Sequence, residues 1–223
     1  CNMVVLLQRE YSPEIFKGFL VTCGATYLMC CIGALLFFII GKAMKMQPKE
    51  LGLFSGGGVY SNVIFMGQPL IMAMYGAEGL IFCVAVMFTC NVFLFTVCSV
   101  LFAMGSDLKK SAGQMLKDAF INLICLSAII GVFCFVNSIS LPQPIFDVLQ
   151  YSANTTVCLS MIYIGSLLAA ANVREIFQDK KVYIFSFLTL IVIPIITKLI
   201  CGTFMSGMAL SVLVVLMGTP AAA

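Results

Sequence analysis

The sequence predicts an all-α integral membrane protein whose two halves repeat each other in opposite orientation. Three observations point there. Hydrophobic residues make up 62% of the 223-residue chain, charged residues only 9%, and the mean hydropathy is +1.12; a soluble domain has about 25% charged residues. The apolar residues gather in runs close to the ~20 residues that span a bilayer. Two short motifs, Met66-Gly67-Gln68-Pro69 and Met217-Gly218-Thr219-Pro220, sit at matching places inside such runs.

In chain order, Cys1–Leu7 is apolar but too short to cross a membrane alone. Spans are expected over about 19–40, 52–75, 79–104, 119–136, 145–171 and 182–204, and a last apolar run over about 208–223. There is no initiating methionine, and the last run stops at Ala223. The expectation is a piece of a longer reading frame that begins within one span and ends within another. Residues 1–104 then form a first repeat with its broken helix at 52–75, and 105–118 a cytoplasmic loop. Residues 119–223 form the second repeat, cut within its own broken helix at 208–223.

Loop charge gives the orientation. Lys42, Lys45 and Lys49, then Lys109, Lys110 and Lys117, then Arg174, Lys180 and Lys181 fall in one set of loops. The alternate set carries only Arg9 and Lys17, offset by Glu10 and Glu14. The positive-inside bias places the Lys109 loop in the cytoplasm and the Glu78 loop outside a multi-pass cell-membrane protein. Glu14-Ile15-Phe16 then lies outside and Glu175-Ile176-Phe177 inside, each before a span that leads to a Gly-x-Pro motif. Opposite facing of matched elements is what an inverted repeat requires. A net charge of +3, spread over short loops, gives no nucleic-acid footprint.

Catalytic and metal chemistry find no footing. The eleven cysteines lie almost entirely in apolar runs, no C-x-x-C occurs, and the chain has no histidine. They read as small apolar fillers, and neither a metal nor a cofactor is expected. No H-E-x-x-H and no paired intramembrane aspartate is present, so an enzyme is not expected. Ser55-Gly56-Gly57-Gly58 lacks a P-loop lysine and reads as a close helix contact, as do Gly131, Gly165 and Gly207.

The paired motifs carry the functional reading. Glycine and proline should each break a membrane helix, and bare backbone groups at bilayer depth are tolerated only inside protein or a wet cavity. Half-helix N-termini just after Gly67 and Gly218 would offer free N–H groups and a positive dipole end to an anion. The candidate site is Asn62, Gly67, Gln68, Pro69, Gly218, Thr219 and Pro220, with Asn62 able to donate to a carboxylate or to hold unwound backbone. Asn154, Thr155 and Thr156 face either the cavity or a neighbouring helix. Lys198 is either a functional intramembrane charge or a lysine that snorkels to the outer interface. Asp147, near Pro142 and Pro144, reads as a solvated cap.

The stretch Ser61-Asn62-Val63-Ile64-Phe65-Met66-Gly67-Gln68-Pro69-Leu70-Ile71-Met72-Ala73-Met74-Tyr75-Gly76 closely resembles the auxin efflux carrier family. That family includes plant PIN carriers and bacterial malonate-type permeases. Gly165-Ser166-Leu167-Leu168, Pro194 and Pro220 extend the likeness over the chain. The resemblance implies ten helices in two inverted five-helix halves, with crossed broken helices four and nine and an elevator-type division into scaffold and transport domains. This chain would run from late in helix two to the middle of helix nine. The resemblance also implies that Asn62 contacts the substrate carboxylate and that Gln68-Pro69 and Thr219-Pro220 line the crossover. Homodimerisation through the scaffold is implied in the same way.

The expected function is secondary transport of a small organic anion, malonate-like or auxin-like, with proton or sodium coupling left open. The alternatives are a sodium-coupled relative of the bile-acid symporters and a membrane sensor that binds a ligand without moving it.

Overall fold

A computed structural model describes residues 5, 12–104, 123–137, 139, 141–170 and 178–221. The helices are α1 Pro13–Ala43, α2 Pro48–Gly57, α3 Gln68–Phe93, α4 Ser99–Phe102, α5 Leu123–Val136, α6 Gln143–Ala170, α7 Lys180–Phe187, α8 Ile193–Cys201 and α9 Gly207–Met217. Three wider π turns, Val63–Gly67, Leu94–Cys98 and Leu188–Val192, run directly into α3, α4 and α8. Among the described residues, three stretches are long and apolar enough to cross a membrane: Pro13–Ala43, Val63–Phe102 and Lys180–Cys201.

Val63–Phe102 covers 40 residues, about 60 Å of helix, or twice a ~30 Å hydrocarbon core. Gly76 resolves the excess. Its φ of 62° and ψ of −158° break α3 internally, in a region that glycine reaches without a Cβ penalty. The chain folds back there. A Cβ on Gly79 would lie 2.8 Å from Ile71 Cγ2, whereas residues eight apart in a straight helix are about 12 Å apart. Farther along the hairpin Tyr60 meets Asn91, and Gly52 meets the carbonyl of Leu101. That last approach is so close that only a residue without a side chain fits.

The expected boundary between the 52–75 and 79–104 spans therefore holds, with Gly76 as the turn. α1 and α3 pack together, α2 lies against α1 and α4, and α9 packs on α3, α8 and α1. Phe37, Met29, Phe93, Ile71, Ile81, Leu213 and Leu216 form the centre of this bundle, all at 1% exposure or less. Cys30, Cys83, Cys90, Cys98, Cys125, Cys134 and Cys201 are buried, as fillers should be, while Cys31 and Cys158 are exposed. Many large apolar residues of α6 and α7–α8, such as Tyr151, Ile162 and Leu199, are exposed. Tolerance of such a surface suits a lipid environment. The Lys109 loop, the 105–118 segment and Glu175-Ile176-Phe177 lie outside the described residues.

Two glycine expectations change. Gly207 opens α9 with φ of 70° and has nothing within 4 Å of a would-be Cβ, so backbone conformation explains it. Gly165 is likewise open to space and makes no close helix contact among the described residues.

Candidate functional site: the meeting point of two interrupted helices

The site begins where α2 stops. After Gly57 the chain leaves helical geometry through residues 58–62 and resumes at Val63. α9 likewise ends at Met217, with Gly218 at its C-terminus and residues 219–221 non-helical. These two unwound segments meet as an antiparallel bridge between Ser61 and Ala221. The Asn62 N–H donates to the Pro220 carbonyl at 2.8 Å. Each break thereby satisfies part of the other's backbone, which is the condition for unwound chain at bilayer depth.

Asn62 holds the restart. Its Oδ1 accepts from the Phe65 N–H at 3.2 Å, a side-chain N-cap, and its carbonyl accepts from Gly67 N at 3.0 Å. It is 5% exposed, and its Nδ2 has no acceptor among the described residues. The N–H groups of Val59, Tyr60, Ser61 and Ile64 also lack acceptors among the described residues. Donors thus cluster at the positive end of a half-helix.

The expected N-termini after Gly67 and Gly218 are corrected here. The helix restarts at Val63, and Gly67-Gln68-Pro69 lies within continuous helical chain. Pro69 is tolerated because the π turn before it widens the ladder, and proline fits the first positions of α3. Gly218 follows the C-terminus of α9 and does not open a half-helix within the described residues. The two motifs therefore stand on opposite sides of their breaks.

They still converge. A Cβ on Gly67 would lie 2.5 Å from Leu216 Cδ2 and 3.7 Å from Thr219 Cγ2, so Gly67 permits the approach of α9. Thr219 is buried, with its hydroxyl donating to Leu216 O at 2.8 Å. Gln68 is half-buried and Pro69 exposed. Gly218 packs against Pro194, whose ring atoms lie 3.3–3.4 Å from a would-be Cβ.

The remaining candidates sit elsewhere. Thr155 is exposed on α6 with its hydroxyl tied to Tyr151 O at 2.8 Å. Asn154 and Thr156 are on α6, but their side chains lie outside the described residues. Lys198 is exposed in the last turn of α8, where a cation complements the helix dipole. Asp147 Oδ1 accepts from Gln143 Nε2 at 2.9 Å, inside α6 rather than at its cap.

Two residues escaped the sequence reading. Asn91 is 3% exposed, accepts from the Tyr60 hydroxyl at 3.4 Å, and donates to Met87 O at 2.8 Å. It ties the first break to the second arm of the hairpin. A lone asparagine within the apolar run Ile81–Phe93 was the available signal. Thr189 is the other, a buried side chain whose hydroxyl has no hydrogen-bond partner among the described residues, away from the Asn62–Pro220 contact.

The sequence pattern of the family described as Membrane transport protein matches residues 1–223. The chain belongs to that family. It is the auxin efflux carrier family that the Asn62–Gly76 block resembles. The family member named "Uncharacterized transporter MJ1031", from Methanocaldococcus jannaschii, is 28% identical over 169 residues. That match covers 74% of this chain and 54% of the relative, so the chain spans about half of that protein. No solved structure matches the chain.

Proposed function

We propose that the protein is a secondary carrier of small organic anions, malonate-like carboxylates or auxin-like acids, with the anion bound at the crossover. The observation that carries this reading is the Asn62–Pro220 bond, which joins two interrupted helices beside a capped half-helix N-terminus. Oriented N–H groups and a dipole end hold a carboxylate without a buried cationic side chain. Asn62 Nδ2 supplies a further donor. Gly67 and Thr219 form the wall between the two breaks.

In this reading the chain's two parts are inverted repeats, and the crossed helices move as one body against a scaffold that also supports a homodimer. Membership in a membrane transport family supports movement of the ligand over mere sensing. The test is uptake of labelled malonate, other dicarboxylates and indole-3-acetate into liposomes holding the full-length protein, with and without sodium or proton gradients. Saturable uptake establishes the carrier. Binding without flux under every gradient establishes the sensor instead.

A further inference from the structure

We propose that the end of the bundle where α2 and α7 begin binds an anionic phospholipid, with lysines on its headgroup and an apolar groove along its chain. Five lysines converge there. Lys42 lies in the last turn of α1, Lys45 in the turn to α2, Lys49 in the first turn of α2, and Lys180 and Lys181 in the first turn of α7. The Glu50–Lys181 ion pair brings the two sets together. The acidic groups beside them are engaged: Glu50 pairs with Lys181, and the Asp179 carboxylate accepts from the Lys181 N–H at 2.9 Å as the N-cap of α7. Lys42, Lys45, Lys49 and Lys180 are exposed, with no acidic partner among the described residues. Four positive charges are thus left over at one end of the bundle.

Lys45 has a backbone of its own. Met46 N–H donates to Gly41 O at 3.2 Å and Lys45 N–H to Lys42 O at 3.0 Å, the pattern that closes many helices around a left-handed glycine. Here a lysine takes the left-handed place, with φ of 55°, a region that a side chain disfavours. An open groove of about 240 Å³ lies beside these charges, lined by Glu50, Asp179 and Lys181 together with Met46, Leu53, Phe54, Val182 and Phe185. Lys45, Lys49 and Lys180 are the chain neighbours of the lining residues Met46, Glu50 and Lys181, one Cα step of about 3.8 Å away. Leu53 and Phe54 follow Glu50 by one helical turn, and Phe185 follows Lys181 by one. The apolar lining therefore sits about 5 Å farther along each helix than the charges.

This order of groups matches a phospholipid. Lys180 opens the apolar stretch Lys180–Cys201, which is long enough to cross a membrane, so the charged end stands at headgroup level. A soluble anion would leave Leu53, 56% exposed, and Val182 in water, whereas a lipid chain covers both. A zwitterionic headgroup brings its own ammonium and gains less from unpaired lysines. Clusters of about four or more lysines beside a membrane helix, and basic pockets between such helices, suit anionic headgroups. The site needs a bilayer and no particular substrate, so it is separable from the carrier reading.

The 223 residues hold no tryptophan, so Leu53→Trp adds a fluorescent reporter to the groove. The full-length protein carrying it is reconstituted in phosphatidylcholine with a fixed fraction of brominated phosphatidylglycerol or brominated phosphatidylcholine. The quenching of the added tryptophan is read against the parent protein. Phosphatidylglycerol should quench with a relative affinity at least about fivefold higher, the worth of one lysine beside an anionic headgroup. The preference should weaken at high salt and vanish when Lys45→Gln, Lys49→Gln and Lys180→Gln are combined. The same three positions changed to arginine should keep it. Equal quenching by the two lipids shows lysines that only face water and overturns the site. Quenching by neither shows a groove covered by protein, a further segment or a second copy of the chain, and overturns it too. A preference undiminished in the triple glutamine variant contradicts the lysines' part and does the same.

Discussion

Asn62 donates its backbone N–H to the carbonyl of Pro220, 158 positions later in the chain, across 2.8 Å. One bond thus joins the restart of the first broken helix to the end of α9, and it places a side-chain cap and a row of N–H groups without acceptors among the described residues at the same point. The consequences can be measured residue by residue.

Asn62 has two roles that substitution can separate. Asn62→Ser keeps an N-cap oxygen, whereas Asn62→Ala removes it at a cost of about 1 kcal/mol. Both remove the Nδ2 donor. We expect both variants to insert normally and both to lose saturable uptake, with only Asn62→Ala melting earlier. Uptake retained in Asn62→Ser would assign the residue to capping alone.

Gly67→Ala drives a methyl group into Leu216. Overpacking of this kind costs about 1–3 kcal/mol. Thermal unfolding of Gly67→Ala, Leu216→Val and the double variant should show coupling, with the double variant more stable than the sum of the single losses predicts. Strict additivity would mean that the two residues do not touch.

Tyr60→Phe removes the hydroxyl that reaches Asn91. The expected loss is at the low end of about 0.5–1.5 kcal/mol, because the bond is long. Asn91→Leu should cost more, since it strips a partner from Tyr60 and breaks the tie to Met87 O. Equal melting temperatures for the two variants would remove Asn91 as the brace of the break.

Glu50 and Lys181 pair in the lining of an open groove of about 240 Å³, shared with Leu53, Phe54 and Phe185. Their side chains are 44% and 41% exposed, so solvent screens the pair. Glu50→Gln should change stability by less than about 1 kcal/mol, with the difference fading at high salt. A larger, salt-independent loss in thermal unfolding would show a buried role.

Much of this architecture was legible in the sequence because bilayer physics writes in long runs. The membrane class, a long helix over the expected 19–40 span and a separation between the 52–75 and 79–104 spans all follow from hydropathy, and the structure puts the first helix at Pro13–Ala43 and the turn at Gly76. The position of the break was not. Glycine and proline at Gly67-Gln68-Pro69 suggested it, yet a π turn absorbs Pro69, and the chain unwinds five to nine residues earlier. What fixes the break is the pairing of Ser61 with Ala221, a long-range contact without a local signature. Ser55-Gly56-Gly57-Gly58 was read for packing, but it also ends α2. Asn62 was identified for its chemistry, and the structure adds the cap. Lys198 drew notice as an intramembrane charge, and helix direction places it on an exposed face. Thr189 carried no signal, because a missing intrahelical bond is visible only in three dimensions.

The most direct measurement is the affinity of the purified full-length protein for malonate, a member of the proposed substrate class, by calorimetry, in wild type and Asn62→Ala. A carboxylate seated on the Asn62 amide and the Val63 half-helix predicts at least about a tenfold loss of affinity, the worth of one hydrogen bond to a charged group. Unchanged affinity in a folded Asn62→Ala protein would place the anion elsewhere and contradict the account.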